Sequence, residues 1–457
     1  MQAITKRHTK RPSTMHRSLQ SLAASLVLLV FTSTAHAAIP IQHWTHASGA
    51  RVYLVPSPSI PMLDVQINVD GGSRRDPVAQ AGLAGVTAGM LLAEVAAQPG
   101  QPALDENQLG EAWADLGAQF GASASGDRFS VSLRTLTEPD LLRGAVALAA
   151  RQLAAPAWPE RIWQRDRERT IAALLEAENR PATHAARAFD AAVYGNHPYG
   201  FDTTPTTLNA IAVADMRDFY RRHLAACRAQ VSLVGAIDRA QADGIVDQLM
   251  TALAPNGCVA LPPVSEVQPL TAAMERRIPF DAAQAQVQIG QPGFVRSDPD
   301  FFPLIVGNHI LGGGGFTSRL TNEVREKRGL SYSVYSFFAP SLHAGAFQIG
   351  LTTRPDQADQ AIGVARDVLR RFVREGPTET ELQGAKDNFV NGFSLRIDSN
   401  RKLLDNVASI AWNGLPLDYL DDWTEQVQRV SLADIQRAFN RVLQPSRMVT
   451  VVVGAKP

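Results

Sequence analysis

An excess of charge of either sign is missing from this sequence. Lys plus Arg and Asp plus Glu number 44 each in 457 residues. That balance gives no sign of a nucleic-acid or strongly acidic partner; a peptide, a small molecule or another protein is the better expectation. Cysteine is scarce: Cys227 and Cys258, 31 residues apart, allow one disulfide at most. Such a bridge is worth about 3–4 kcal/mol in the chain-entropy model, although Cys227 equally suits a small buried hydrophobe beside the run QVSLVGA. No apolar run reaches the length of a membrane span. Nothing resembles a Ser/His/Asp or Cys/His arrangement for nucleophilic hydrolysis, and LGGGGFTS lacks the lysine of a phosphate loop.

The longest apolar run, LAASLVLLVF, follows Lys6, Arg7, Lys10, Arg11 and Arg17 and precedes the small-residue site Ala35-His36-Ala37. A basic stretch, a short apolar stretch and such a site form a secretory signal. Residues 1–37 are therefore expected to be a signal peptide, with Met15 an alternative start and an uncleaved anchor the competing reading. The mature protein is expected in a bacterial periplasm or otherwise exported, where a disulfide persists.

What is present in unusual measure is glycine on a helix. AGLAGVTAGMLLAE (81–94) carries Gly82, Gly85 and Gly89 at spacings of three and four. Each interior glycine costs about 1 kcal/mol relative to alanine. Either another backbone approaches that face, or it has lost larger side chains.

The chain is also duplicated. VADMRDFYRRHLAACRAQVSLVGA (213–236) recurs as LADIQRAFNRVLQPSRMVTVVVGA (432–455) at an offset of 219. FSVSLRT (129–135) and FQIGLTT (347–353) match at 218, and VQI and RRDP (65–67, 74–77) match VQI and RSDP (287–289, 296–299) at 222. Each half predicts the same order: a strand (65–70; 286–290), a helix (80–97; 301–311), a strand (129–135; 346–352) and long helices (141–153 and 159–178; 356–374 and 378–394). An amphipathic helix and a Val-rich strand close each half (213–224 and 230–235; 432–443 and 448–453). Paired strands with helices grouped between them predict an α+β fold of two tandem homologous domains, each a largely antiparallel sheet with helices on one face. The expected domains are 38–258 and 273–457, joined by a proline-rich linker at 259–272.

VDGGSRRDPVAQAGLAGVTAGML, GNHPYGFDTT and LGGGGFTSRLTNEVREKRGLSYSVYS resemble the pitrilysin/insulinase family of zinc metallopeptidases, in particular its two-domain members similar to the mitochondrial processing peptidase. That family binds zinc through an inverted H-x-x-E-H motif, whose histidines at i and i+4 share one helix face while the Glu activates water. In register, Gly85, Ala88 and Gly89 stand where His, Glu and His would be, and Ala173 stands at the third ligand, with Glu168 and Glu176 nearby. The resemblance thus implies a degenerate metal site and no zinc bound by this chain. It also implies that Arg325 and Tyr332 reach toward substrate, Arg325 from a helix near 318–328 ended by Gly329, Tyr332 from the start of a strand. The Tyr hydroxyl would stabilise an oxyanion and the Arg would hold a carbonyl or carboxylate. Gly312, Gly313, Gly314 and Gly315 are implied to form a mobile substrate-contact loop.

Plainer readings stand beside these. Arg325 lies among Glu323, Glu326, Lys327 and Arg328, as on a solvated helix face, and Tyr332 alternates with Val334, as in strand packing. Thr317 or Ser318 suits a helix cap. His197 is expected to hold its loop, His43 and His46 to point apart, and Arg74, Asp76, Arg296 and Asp298 to build a turn common to both halves. Together these imply a zinc-less subunit of an exported heterodimeric peptidase, inactive alone. Its partner would be a homologous subunit carrying H-x-x-E-H and zinc, and its substrates peptides bound by sheet-edge pairing. An inactive scaffold or peptide-binding homologue is the alternative.

Overall fold

A computed structural model describes residues 39–253 and 258–454; the signal sequence expected at 1–37 lies outside them. Strands β1 (Gln42–Thr45), β2 (Arg51–Pro56), β3 (Met62–Asp70), β4 (Gln119–Ala124), β5 (Arg128–Leu136) and β6 (Gln230–Gly235) form one sheet in the order β1-β2-β6-β3-β5-β4. Strands β7 (Met274–Ile278), β8 (Ala285–Pro292), β9 (Ser331–Phe338), β10 (Ala346–Thr353) and β11 (Val449–Val453) form a second in the order β7-β11-β8-β10-β9. Among the named strands, β2–β6 and β7–β11 pair in parallel and the other pairs are antiparallel, as expected of an α+β duplication. The second sheet repeats the first without an equivalent of β1.

Helices α1 (Leu83–Leu91), α2 (Glu106–Asp115), α3 (Pro139–Ala154), α4 (Glu160–Ala177), α5 (Pro181–Tyr194), α6 (Pro205–Asn209), α7 (Val213–His223) and α8 (Arg239–Thr251) belong to the first half. Helices α9 (Phe301–Asn308), α10 (Ala358–Glu375), α11 (Glu379–Asn391), α12 (Asn400–Asn413), α13 (Tyr419–Arg429) and α14 (Leu432–Val442) belong to the second. Period-two alternation sorts each strand. Leu63, Val65, Ile67 and Val69 of β3 and Phe129, Val131 and Leu133 of β5 meet that half's own helices. Asp64, Gln66 and Asn68, with Ser130, Ser132 and Arg134, fall on the reverse face. The helix expected over 80–97 is shorter, because Val95 pairs with Leu104 and Pro156 as an isolated bridge.

Each half lends one helix to the other's reverse face. α12 packs on β6, β3 and β2, while α5 packs on β11 and β8. Ala185, Ala188, Phe189 and Val193 of α5 form a separate cluster with Val449, Val451 and Val453, whereas Val452 faces the second half's own core. Gly290 of β8 lacks a side chain where Phe189 lies, since a Cβ there would come within 2.8 Å of its ring. The offset of 219 carries Pro181–Tyr194 onto Asn400–Asn413, so the exchanged helices are duplicates of one another. A fully buried aliphatic or aromatic side chain is worth about 1.5–3 kcal/mol, and the exchange fastens the halves together. α2, α5, α6, α8, α12 and α13 have no counterpart in the sequence reading.

A disulfide joins Cys227 to Cys258, with Cα atoms 6.1 Å apart. Residues 259–273 carry neither helix nor strand. They are tied down by Arg75 on the Pro262 carbonyl, Arg228 on the Val259 carbonyl and His343 on Glu266.

Candidate functional site

α1 starts from Gly82, whose φ of 106° and 2.8 Å approach to Thr203 both call for glycine. Asp76 caps the helix, accepting the N–H groups of Gly82 and Ala84 at 2.9 Å each. Burial pushes the Asp76 carboxyl up to about 7, against those hydrogen bonds. Arg74 is buried and pairs with Asp70 at 2.8 Å and Asp127 at 3.0 Å. Both residues therefore build the turn, and the RSDP turn of the second half is tied down comparably by Arg441 on Asp298 at 2.6 Å.

Gly85 and Gly89 have no atom within 4 Å of where a Cβ would stand. No backbone approaches them, so of the two explanations for the bare helix the lost side chains remain. They open instead on a cavity of about 340 Å³ between α1 and α4, lined also by Val86, Met90, Trp163 and Thr170. Ala88 turns to the core and is 2% exposed. Ala173 is exposed on α4, one turn beyond Arg169 and Thr170 of the cavity wall. Hydrogen and methyl groups offer zinc no lone pair, so these positions do not fit the metal. Among the described residues, no group of three or more His, Cys, Asp or Glu side chains could hold a metal ion.

The second constellation converges. Arg325 lies on a wide π-helical turn, Thr321–Glu326, that Gly329 ends at φ 60°. Ser318 supplies the cap, its hydroxyl accepting the Thr321 N–H at 3.4 Å. Lys327 and Arg328 both bind Glu323 at 2.7 Å, leaving Arg325 a 3.3 Å contact with Glu326. Its guanidinium carbon stands 4.7 Å from the centre of the Phe316 ring and 5.0 Å from that of Tyr332. Two cation–π contacts at an exposed site give about 1–2 kcal/mol, enough to orient the fork. Tyr332 is the second residue of β9, an edge strand, and is 79% exposed; Phe316 is 70% exposed. The phenol and the aromatic ring are exposed around a held cation, so Tyr332 is not packed in the core.

Phe316 escaped the sequence reading, although a lone aromatic after four glycines was its signal. The loop beside it is tightly packed at its start. Gly312 is buried, and a Cβ on it would strike the Ser336 N–H at 2.6 Å. Asn308 and Ser336 hold that junction through hydrogen bonds of 3.0 and 2.7 Å. Gly313, Gly314 and Gly315 reach the surface, Gly315 with φ 60°.

His43, His46 and His197 each serve their own local structure. His43 binds the Val52 carbonyl and stacks on Tyr53, while His46 is buried against Ser48. His197 accepts the Tyr199 N–H at 3.1 Å and holds its turn. Burial and the nearby His343 lower its pKa.

Residues 210–389 match the model for the peptidase M16 inactive domain. The chain is 32% identical to a solved Pseudomonas fluorescens structure described as a peptidase M16 inactive domain, covering 92% of this chain and 98% of that one with a TM-score of 0.86. This chain belongs to the peptidase M16 family. Among curated relatives, an uncharacterized zinc protease of Streptomyces coelicolor is 28% identical over 61% of this chain, and the match spans 63% of that protein's length. A Helicobacter pylori protein named a non-peptidase homolog is 23% identical over 91% of this chain and 94% of its own. Family membership agrees with the resemblance carried by the α1 and Arg325 motifs.

Proposed function

We propose that this chain is the zinc-less subunit of an exported heterodimeric metallopeptidase. It binds peptides and stabilises the transition state, while a homologous partner bearing H-x-x-E-H supplies zinc and the general base. The observation that carries this reading is Arg325 held between Phe316 and Tyr332 at the surface of an M16 chain whose metal-ligand positions are Gly85, Gly89 and Ala173. In the complex the Tyr332 hydroxyl donates to the developing oxyanion, and the Arg325 fork binds a substrate carbonyl or carboxylate. Gly313–Gly315 allow backbone contact beside them. The leader pattern and the Cys227–Cys258 bridge support export. Among the described residues, no helix is long and apolar enough to cross a membrane.

The alternative, an inactive scaffold or peptide-binding homologue, draws support from the Helicobacter pylori relative named a non-peptidase homolog. Co-purification from the native source, with zinc analysis and a quenched-fluorescence peptide assay, separates the two. The expected result is no stoichiometric zinc and no cleavage for the chain alone, and cleavage on adding the zinc-bearing partner. The Arg325→Ala variant should lower the rate of the complex at unchanged subunit association. A partner that binds this chain stably yet cleaves equally well with and without it favours the scaffold.

A further inference from the structure

The reverse face of the first sheet holds a second site, away from Arg325. α12 covers β6, β3 and β2, and a polar cavity of about 480 Å³ opens between it and the β5–β4 edge. Arg128, the first residue of β5, enters this cavity with its guanidinium carbon 5.7 Å from the Trp412 ring centre. Burial lowers its pKa, which marks a charge that gains from a counterion. No carboxylate among the described residues lies within ion-pair distance of it, and the nearby charges of Asp127 and Asp405 offset only part of the burial. Its neighbour Asp127 is occupied by the Tyr199 hydroxyl at 2.5 Å, Arg74 at 3.0 Å and the Leu342 N–H at 3.1 Å. Asp64 is taken bidentately by Arg134 at 2.7 and 3.1 Å. Burial pushes the carboxyl of Asp405, across on α12, up, against the nearby charges of Arg401 and Arg128, so this one carboxylate is shared between two arginines.

Donors surround the empty space. Arg401 of α12 makes no ion pair among the described residues and lines the opposite wall. The hydroxyls of Ser123 and Ser132 also line the cavity and make no hydrogen bond among the described residues. Three arginines against two aspartates in the lining leave one positive charge. That surplus matches a monoanion, and a guanidinium fork with hydroxyl donors suits a planar carboxylate. We infer that this cavity is a subsite for a carboxylate of a bound peptide, anchored by Arg128 and assisted by Arg401. The inference rests on the reading that this chain receives peptides, and it names what they must carry.

Fluorescence anisotropy on the purified chain tests it with three labelled nonapeptides of otherwise identical sequence. One bears Glu and a C-terminal amide, one Gln and the amide, and one Gln and a free C-terminus. At least one carboxylate peptide should bind about tenfold tighter than the Gln amide, and which one does identifies the source of the carboxylate. Arg128→Gln should bring that ratio close to one. Should Arg128→Gln fail to fold, Arg401→Gln must still reduce the ratio by about threefold. Equal binding of all three peptides, or a ratio untouched by both variants, overturns the assignment, as does inorganic phosphate competing as well as the carboxylate peptide at matched ionic strength. The measurement needs no partner and no hydrolysis, so a complex that cleaves nothing would leave it standing.

Discussion

The backbone N–H of Leu342 donates to the Asp127 carboxylate across 3.1 Å, joining residues 215 apart and from different halves of the duplication. The same carboxylate accepts from Tyr199, whose pKa burial and Asp127 raise, and pairs with buried Arg74. Asp127→Ala removes all three at once, although Arg74 keeps Asp70. The expected loss is about 3 kcal/mol, read as a lower urea midpoint at pH 7. Asp127→Asn, which still accepts from Leu342, should lose less. Equal midpoints for wild type and Asp127→Ala would deny the junction any weight.

Gly85 and Gly89 face open space, so side chains there cost nothing sterically. Gly85→Ala and Gly89→Ala should each stabilise the chain by about 1 kcal/mol through helix propensity, raising Tm. Loss of stability in either variant would mean a close neighbour after all. By the same geometry Gly85→His, Gly89→His and Ala173→Glu together should give a chain that takes up zinc, measurable by metal analysis after dialysis.

In the reconstituted complex Tyr332→Phe should reduce kcat by about 10²–10³ with KM little changed, the pattern of a lost oxyanion donor. Phe316→Ala removes one of the two rings that steady Arg325, a loss of about 0.5–1 kcal/mol. It should cost roughly twofold to fivefold in kcat/KM. If both variants retain the wild-type kcat/KM, the contact surface has no part in turnover.

Two buried groups tilt stability with pH in opposite directions. Burial lowers His223 to about 4, its Nδ1 bonded to the Asp70 carbonyl. The unfolded chain takes up this proton first as pH falls below about 6.5, so the His223 contribution is present above that pH and lost toward pH 4. Asp76, raised to about 7, acts the other way: its unfolded carboxyl ionises first, and stability falls as pH rises from about 4 to 7. Urea melts across pH 4–7 should give His223→Gln a more negative slope than wild type and Asp76→Asn a more positive one. Parallel slopes for all three proteins would contradict both assignments.

The Cys227–Cys258 bridge closes a loop of 31 residues. Reduction, or the double Ser variant, should cost about 3–4 kcal/mol, seen as a drop in Tm under dithiothreitol. An unmoved Tm would mean the unfolded chain gains little freedom when the bridge is cut.

Residue identity, alternation and internal similarity were enough to read the duplication and the paired sheets, and the family resemblance implied the lost ligands. Alternation in VQINV and FSVSL sets a strand's faces locally, and no tertiary contact can give Gly85 or Gly89 a lone pair. Periodicity says only that a helix has an apolar side. It does not say which sheet that side meets, so the exchange of α5 for α12, held by Phe189 over Gly290, became visible only in three dimensions. The pairing of Arg325 with Phe316 was hidden for a related reason: the charged run around Arg325 looks solvated until Glu323 is seen to take Lys327 and Arg328. Whether a glycine faces a void or a neighbour depends on segments distant in the chain, and those distances exist only after folding.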